Sequence, residues 1–303
     1  MSCRTKRQKN AVLIKHHVEQ RLNMPIGTAW LILRDMVSQA ANDIVLPKFA
    51  LNHDHQAISQ KVDGSLVTLA DKQMQQRLVE TLETYWPNIP VLGEEQTALQ
   101  HASVFSHLDN AAWVLDPIDG TGNFAAGIPY FCTSLALVFE GQVVMSLVHD
   151  PNRDESFFAF KGSGAHINGQ SFVHSVKHSN TLKTATALID FKRLPRHLAS
   201  KLATDPPYRS QRSFGASALD WCWIAANRCQ IYLHGSQMLW DYAAGELLLR
   251  EAGGCSSSFD GHAVFESSLL PRSVIAASTT DGYQQWLEWL KGRGELCLNM
   301  DTD

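Results

Sequence analysis

The run Asp116-Pro117-Ile118-Asp119-Gly120-Thr121-Gly122-Asn123-Phe124 sets two carboxylates three residues apart, directly after the apolar stretch Trp113-Val114-Leu115. A strand ending there puts both acids at the rim of a sheet, where proline stiffens the turn and glycine lets backbone approach a ligand. A helix starting near Gly120 would point its free N–H groups outward, which suits an anion. Acids beside an anion site are compatible only with a cation between them. Two further acidic spots also fall where an element meets a loop: Gly93-Glu94-Glu95 after Val91-Leu92, and Asp241 after Trp240. If Glu94, Asp116, Asp119 and Asp241 converge, unit charges ~4 Å apart repel by roughly 4 kcal/mol at an effective dielectric of about 20. Such a cluster needs protons or metal. Oxygen ligands favour a hard cation, Mg²⁺ first, and two such ions could clamp the attacking and leaving oxygens of a phosphoryl transfer. No His/Cys cluster competes for the role, which argues against zinc.

Asp116–Phe124 resembles the first signature of the inositol monophosphatase family of Mg²⁺-dependent, lithium-sensitive phosphatases, and Trp240-Asp241-Tyr242-Ala243-Ala244-Gly245 resembles its second. Gly93-Glu94-Glu95 and the stretch from Lys61 to Asp71 resemble upstream motifs, so the likeness runs in order from about residue 28 to about residue 290. The resemblance implies an α/β fold of α+β layered-sandwich type, the sugar-phosphatase arrangement of alternating helix and sheet layers. It implies two or three Mg²⁺ ions. Glu94, Asp116 and the carbonyl of Ile118 would hold the first; Asp116, Asp119 and Asp241 would hold the second; Glu94 would help with a third. Asp71 and Thr121 would orient and activate the attacking water, and Gly120 and Thr121 would donate N–H groups to the phosphate. Gly215-Ala216-Ser217 matches a loop near the substrate's ring. His234 stands seven residues before Asp241, where inositol-specific members carry an acid, and Gly122 replaces a larger side chain. These departures leave the metal chemistry intact and put myo-inositol itself in question. The expected activity is hydrolysis of a small phosphorylated polyol, by water attacking in line and without a phosphoenzyme. The same chemistry on a 3′(2′),5′-bisphosphate nucleotide, histidinol phosphate, fructose 1,6-bisphosphate or NADP is the alternative. A non-catalytic phosphate- or metal-binding regulator is a reading from a different class. A homodimer acting on a small phosphorylated metabolite completes what the resemblance implies; the cysteine pattern and the lack of a secretory-type apolar stretch in the basic head add the expectation of a cytoplasmic setting.

Other signals carry less. Cys222 and Arg228 have the C-x5-R spacing of cysteine phosphatases, but the residues between them are bulky or helix-forming rather than a phosphate-wrapping loop. Pro117 occupies the place of the nucleophile in a D-x-D-G-T motif, and Gly215 to Leu219 lacks the final glycine of a serine-hydrolase elbow. Gly162 to Ile167 lacks the third glycine of a dinucleotide loop. His149 and His166 read as strand or turn residues, and Trp286 with Trp289 as packing partners.

The elements that must position the acids are legible by periodicity. Trp30, Leu33, Val37, Ala40 and Ile44 recur at helical spacing between Thr28 and Phe49, with a stop expected near Pro47. A second helix is expected to open at Asp71, and a long polar link, 52–70, to precede it. Strands are expected at Ile89–Leu92, Trp113–Leu115, Thr133–Phe139, Val143–His149, Ser156–Phe160, Ile231–Leu233 and Ser273–Ala277. Helices are expected at Ala216–Ala226, Asp241–Ala252 and Asp281–Leu290. The organisation expected is a basic, disordered extension over 1–26, an α+β subdomain over 27–185 carrying the metal site, an α/β subdomain over 186–292 completing it, and a tail over 293–303.

Composition fits this frame. The chain has 303 residues, 45% hydrophobic and 18% charged, which supports a sizeable core. Its net charge of −4 makes nucleic acid a poor default partner, and no apolar run has the length of a membrane span. Residues 1–24 carry +5 of charge, leaving −9 on the rest. The six cysteines form no CxxC pair, so reduced thiols are expected.

Overall fold

The computed structural model describes residues 3–50, 58–60, 66–172, 181–266 and 268–292. The helices are α1 Cys3–Leu22, α2 Ile26–Ala40, α3 Leu46–Ala50, α4 Leu69–Tyr85, α5 Ala98–Phe105, α6 Thr121–Ala126, α7 Arg196–Thr204, α8 Ser217–Ala225, α9 Leu239–Glu251 and α10 Thr280–Lys291. The first strands are β1 Ile58–Gln60, β2 Leu66–Thr68, β3 Val91–Gly93, β4 Ala111–Asp119, β5 Cys132–Phe139, β6 Gln142–Asp150, β7 Glu155–Phe160, β8 Ala165–Ile167 and β9 Gln170–Phe172. The rest are β10 Thr186–Asp190, β11 Ser210–Arg212, β12 Ile231–Gln237, β13 Cys255–Ser257 and β14 Arg272–Ala277.

Strand periodicity sorts the apolar residues into layers. The front sheet runs β3-β4-β5-β6-β7-β8-β9, with only β3 parallel to its neighbour. On β4 and β5, Trp113, Leu115, Leu135 and Leu137 face one way and pack with α1, α2 and α4. Ala112, Val114, Ala136 and Val138 face the other way and pack with α8 and α9. The rear sheet runs β11-β10-β12-β14-β13. Its Leu188, Tyr232, Val274 and Ala276 join the same α8–α9 layer, while Ile189, Leu233 and Ile275 pack with Leu198 and Leu202 of α7 and Trp286 and Leu290 of α10. The result is a five-layer αβαβα sandwich, the layered α/β class expected from the sequence. α9 is buried along nearly its whole length because sheets cover both of its sides.

Two expectations are corrected. The basic segment is helical rather than disordered: α1 ends with Val18 and Leu22 in the core beside α2. Ile14, Val18 and Leu22 lie four residues apart on one face, a stripe masked in sequence by the surrounding charge. Trp86 Nε1 donates to Leu22 O at 3.0 Å, Arg21 Nη2 to Asn88 O at 2.8 Å, and Ile26 N to Glu19 Oε1 at 3.1 Å. Nor does Pro47 stop its helix. A π turn over Ala41–Val45 shifts the ladder, and Pro47 sits second in α3, where its missing N–H costs little. The polar link contains a hairpin, β1 against β2. Residues 61–65 of the Lys61–Asp71 motif and the tail over 293–303 fall outside the described residues. Among the described residues, no helix is long and apolar enough to cross a membrane.

Candidate metal centre and active site

The acids converge from three elements. β4 pairs with β5 up to Asp116↔Ser134 and resumes at Asp119↔Cys132, so Pro117 and Ile118 on β4 stand against Thr133 alone on β5. Pro117, which has no N–H to give the ladder, falls in this bulge, and Thr133 Oγ1 donates to its carbonyl at 2.9 Å. The bulge turns Asp116 and Asp119 toward the same side, where Asp241 arrives from the first turn of α9. One carboxylate oxygen from each of Asp116, Asp119 and Asp241 lies within 4.8 Å of the others. Glu94, just after β3, stands close enough to raise the pKa of all three and of Asp71.

Each acid is oriented by backbone. Ile118 N donates to Asp116 Oδ1 at 3.1 Å. Met238 N donates to Asp241 Oδ2 at 2.8 Å. Ser217 N donates to Asp119 Oδ1 at 3.1 Å and Ala218 N to Asp119 Oδ2 at 2.7 Å, so Asp119 caps α8 from a distant strand. Burial first, then Glu94, Asp119 and Asp241, push the Asp116 carboxyl well above the usual range. Burial, then Asp119 and Glu94, do the same to Asp241. Asp119 is pushed up to about 7 by burial, against the pull of the α8 amides. At 4.8 Å each pair of charges repels by about 3–4 kcal/mol at an effective dielectric of about 20. An all-oxygen donor set under this strain suits a hard divalent cation.

Asp71 and Thr121 meet next to this cluster. Asp71 is 1% exposed and is the third residue of α4. Its Oδ2 accepts from Thr68 N at 2.8 Å and from the Thr68 hydroxyl. Its Oδ1 lies 3.0 Å from Thr121 Oγ1, which also reaches Ile118 O at 3.0 Å. Burial raises the Asp71 pKa, while the Thr68 and Thr121 hydrogen bonds lower it. Gly120 adopts φ 91°, and a Cβ there would lie 3.1 Å from Tyr130 O and 3.3 Å from Phe131 Cα, so only glycine fits the step from β4 into α6. α6 has six residues, so its first amides rather than a long helix dipole are what it offers an anion.

Beside Asp241 opens a cavity of about 150 Å³ lined by Asp190, Lys192, Arg193, Gly215, Ser217 and His234, with Ser213, Asp220 and Ser236 also at its wall. Gly215 and Ser217 are among its lining residues. Ala216 is buried against the Gly120 turn and is absent from the lining. His234 reaches the wall with both ring nitrogens engaged: Nδ1 accepts from Ser236 N at 3.2 Å, and Nε2 lies 3.1 Å from Asp190 Oδ2. Both ring nitrogens thus meet protein partners, and one of them holds Asp190 at the wall. Asp190, Lys192 and Arg193 were not anticipated. A signal existed, since Asp190 ends the apolar run Ala187-Leu188-Ile189 just as Asp116 ends Trp113-Val114-Leu115.

The discounted motifs are structural. Arg228 is held bidentately by Glu155, and Cys222 is fully buried in α8. Cys222→Ser is expected to leave turnover per folded molecule within about twofold. A new buried hydroxyl costs roughly 1–3 kcal/mol where it finds no partner, so the melting temperature falls; assay and thermal melt on one preparation check both. His149 bonds the Ser156 hydroxyl at 2.9 Å, and Trp286 stacks on Trp289.

The model of the inositol monophosphatase family matches residues 31–291. The chain belongs to this family. Relatives include the protein named Nus factor SuhB from Vibrio cholerae, 32% identical over 79% of this chain and 88% of its own. The SuhB of Pasteurella multocida is 31% identical over 74% and 83%. Among solved structures, the SuhB protein of Bartonella henselae is 25% identical with a TM-score of 0.74, covering 88% of this chain and 99% of that one. A staphylococcal inositol monophosphatase I solved with its products also has 25% identity and a TM-score of 0.74, covering 89% and 97%. The family therefore joins proteins named for catalysis and proteins named as Nus factors.

Proposed function

We propose that the chain is a Mg²⁺-dependent phosphate monoesterase acting on a small phosphorylated polyol, with inositol 1-phosphate the first substrate to try. The observation that carries this reading is the convergence of Asp116, Asp119 and Asp241 oxygens within 4.8 Å, beside a hydrogen-bonded Asp71–Thr121 pair. Glu94, Asp116, the Ile118 carbonyl, Asp119 and Asp241 would hold two or three ions. Bound there, Mg²⁺ supplies charge neutralisation at the phosphoryl oxygens and acidifies water. Asp71, tied to Thr121, would orient the attacking water and accept its proton. The amides of Gly120 and Thr121 would donate to the phosphate oxygens as negative charge gathers on them. Gly215 and Ser217 would border the leaving alcohol, which the cavity beside Asp241 would receive. Lithium sensitivity, a homodimer and a cytoplasmic setting belong to the same reading.

The test is release of inorganic phosphate from p-nitrophenyl phosphate and a panel of phosphorylated polyols, with and without Mg²⁺. Asp71→Asn is expected to lower kcat about 10²-fold, the scale of a lost general base, while the rise in melting temperature on adding Mg²⁺ persists. The name Nus factor carried by relatives at 31–33% identity favours a second reading, a binding protein that keeps this site without turnover. A Mg²⁺-induced thermal shift with no phosphate release from any substrate would select it.

A further inference from the structure

Three of the acids assigned to metal follow residues that are themselves held. Glu94 follows Gly93 at the end of β3, Asp116 follows Leu115 in β4, and Asp241 follows Trp240 in the first turn of α9. β3 and β4 are tied directly, since Gly93 pairs with Leu115 and Glu94 N donates to Leu115 O at 3.0 Å. Ser134, across from Asp116 on β5, donates its hydroxyl to Trp240 O at 3.2 Å and so joins β5 to α9. The corner that carries Glu94 is linked to α9 by His101 of α5. The His101 Nε2 lies 2.8 Å from Gly93 O, and its ring meets the Trp240 indole with centroids 5.3 Å apart.

A carbonyl only accepts, so Nε2 carries the proton and donates to Gly93 O. The corner itself is closed by its own hydrogen bonds: Gln96 N donates to Gly93 O at 3.2 Å, and Gly93 N to Gln96 Oε1 at 3.0 Å. What those bonds do not supply is a tie to Trp240, and the imidazole supplies it. Nor does α5 need the imidazole in order to form. The helix has no buried residue, and its start is capped reciprocally by Thr97 and Gln100. Both contacts of the His101 ring lead instead to residues that adjoin assigned metal ligands.

Resting on the metal-centre reading above, we propose that His101 is a positioning residue for that centre: by joining Gly93 to Trp240 it holds the Glu94 and Asp241 segments against each other before a divalent cation arrives. Less order then has to be imposed on the two acids when the ion binds. His101 touches no substrate and moves no proton in the reaction. Side chains that orient metal ligands correspond to about 10- to 100-fold in metal affinity, so its loss should weaken Mg²⁺ binding while chemistry at saturating Mg²⁺ stays nearly unchanged.

The experiment is a Mg²⁺ titration of the full chain by calorimetry, with kcat on p-nitrophenyl phosphate at saturating Mg²⁺, for the wild type, His101→Ala, His101→Gln and His101→Phe. Alanine is the stronger helix former, so α5 should persist in the first variant. His101→Ala should raise the Mg²⁺ Kd about tenfold and leave kcat at saturation close to that of the wild type. His101→Gln can donate to Gly93 O without the ring, and His101→Phe keeps the ring without the donor; each should recover part of the affinity. A His101→Ala protein with the wild-type Mg²⁺ Kd overturns the proposal whatever its melting temperature, since a purely structural role lowers stability without moving metal affinity. So does a loss confined to kcat at saturating Mg²⁺. Mg²⁺ binding by the wild type without any phosphate release rejects the phosphatase reading and leaves the comparison of Kd values to decide on His101. No Mg²⁺ binding by the wild type rejects the metal centre and the role of His101 together.

Discussion

Asp116→Asn is expected to cost at least about 10³-fold in Mg²⁺-dependent turnover, since a bound metal contributes several kcal/mol to phosphoryl transfer and each 1.4 kcal/mol or so is tenfold. Asp116 is the cleanest place to cut. Its side chain accepts from Ile118 N at 3.1 Å, a bond that the amide oxygen of Asn can still accept. Asp119 also caps α8 through Ser217 and Ala218, so its replacement would mix loss of metal with loss of helix order. The metal-free Asp116→Asn protein should melt above the metal-free wild type, because one member of a crowded, buried set of acids has gone. Its thermal shift on adding Mg²⁺ should shrink or vanish. A variant that retains turnover and the shift would show that Asp116, Asp119 and Asp241 do not form the metal centre.

Without metal, stability should fall as pH rises from about 4 to about 7. Asp71, Asp116, Asp119 and Asp241 all have raised pKa values in the folded chain, Asp119 to about 7. An acid of this kind holds its proton more tightly folded than unfolded. Its contribution is present below the unfolded value of ~3.9, is lost as pH climbs to the folded value, and is constant beyond it. The slope is at most about 1.4 kcal/mol per pH unit for each proton involved. Mg²⁺ must displace those protons, so the stabilisation it brings should grow between pH 5 and pH 8. His149 works against the trend below its unfolded pKa of ~6.5, since burial lowers its pKa. The difference between wild type and Asp116→Asn removes that contribution. Urea midpoints across pH, with EDTA and with saturating Mg²⁺, check the prediction; an EDTA profile difference that rises with pH would refute it.

The elements that carry the acids were legible because each obeys a local rule. Val114 and Leu115 run into Asp116 in the last part of β4, and Asp71 and Asp241 sit in the first turns of α4 and α9. What was not legible depends on distant partners. Nothing around Pro117 says that β5 will tolerate a bulge there, yet the bulge is what turns Asp119 toward Asp116. The apolar stripe of α1 is diluted by lysines and arginines, so charge hid a helix whose end enters the core. His234 was legible as a departure from the family pattern, but its neighbour was not: Asp190 arrives from β10, 44 residues earlier. The cations of the cavity wall were invisible for the same reason, since their turn is defined by contact with Gly235.

Because α8 and α9 roof the front sheet while belonging to residues 217–251, ownership of the interior is divided between the two ends of the polypeptide. During synthesis the strands β4 to β7 emerge first, with Ala112, Val114, Ala136, Val138 and Phe157 still uncovered. That bare sheet is sticky until the later helices leave the ribosome. Nascent chains stalled before residue 217 should therefore be clients for holding chaperones, and pieces cut between the sheets should assemble only when both are supplied together.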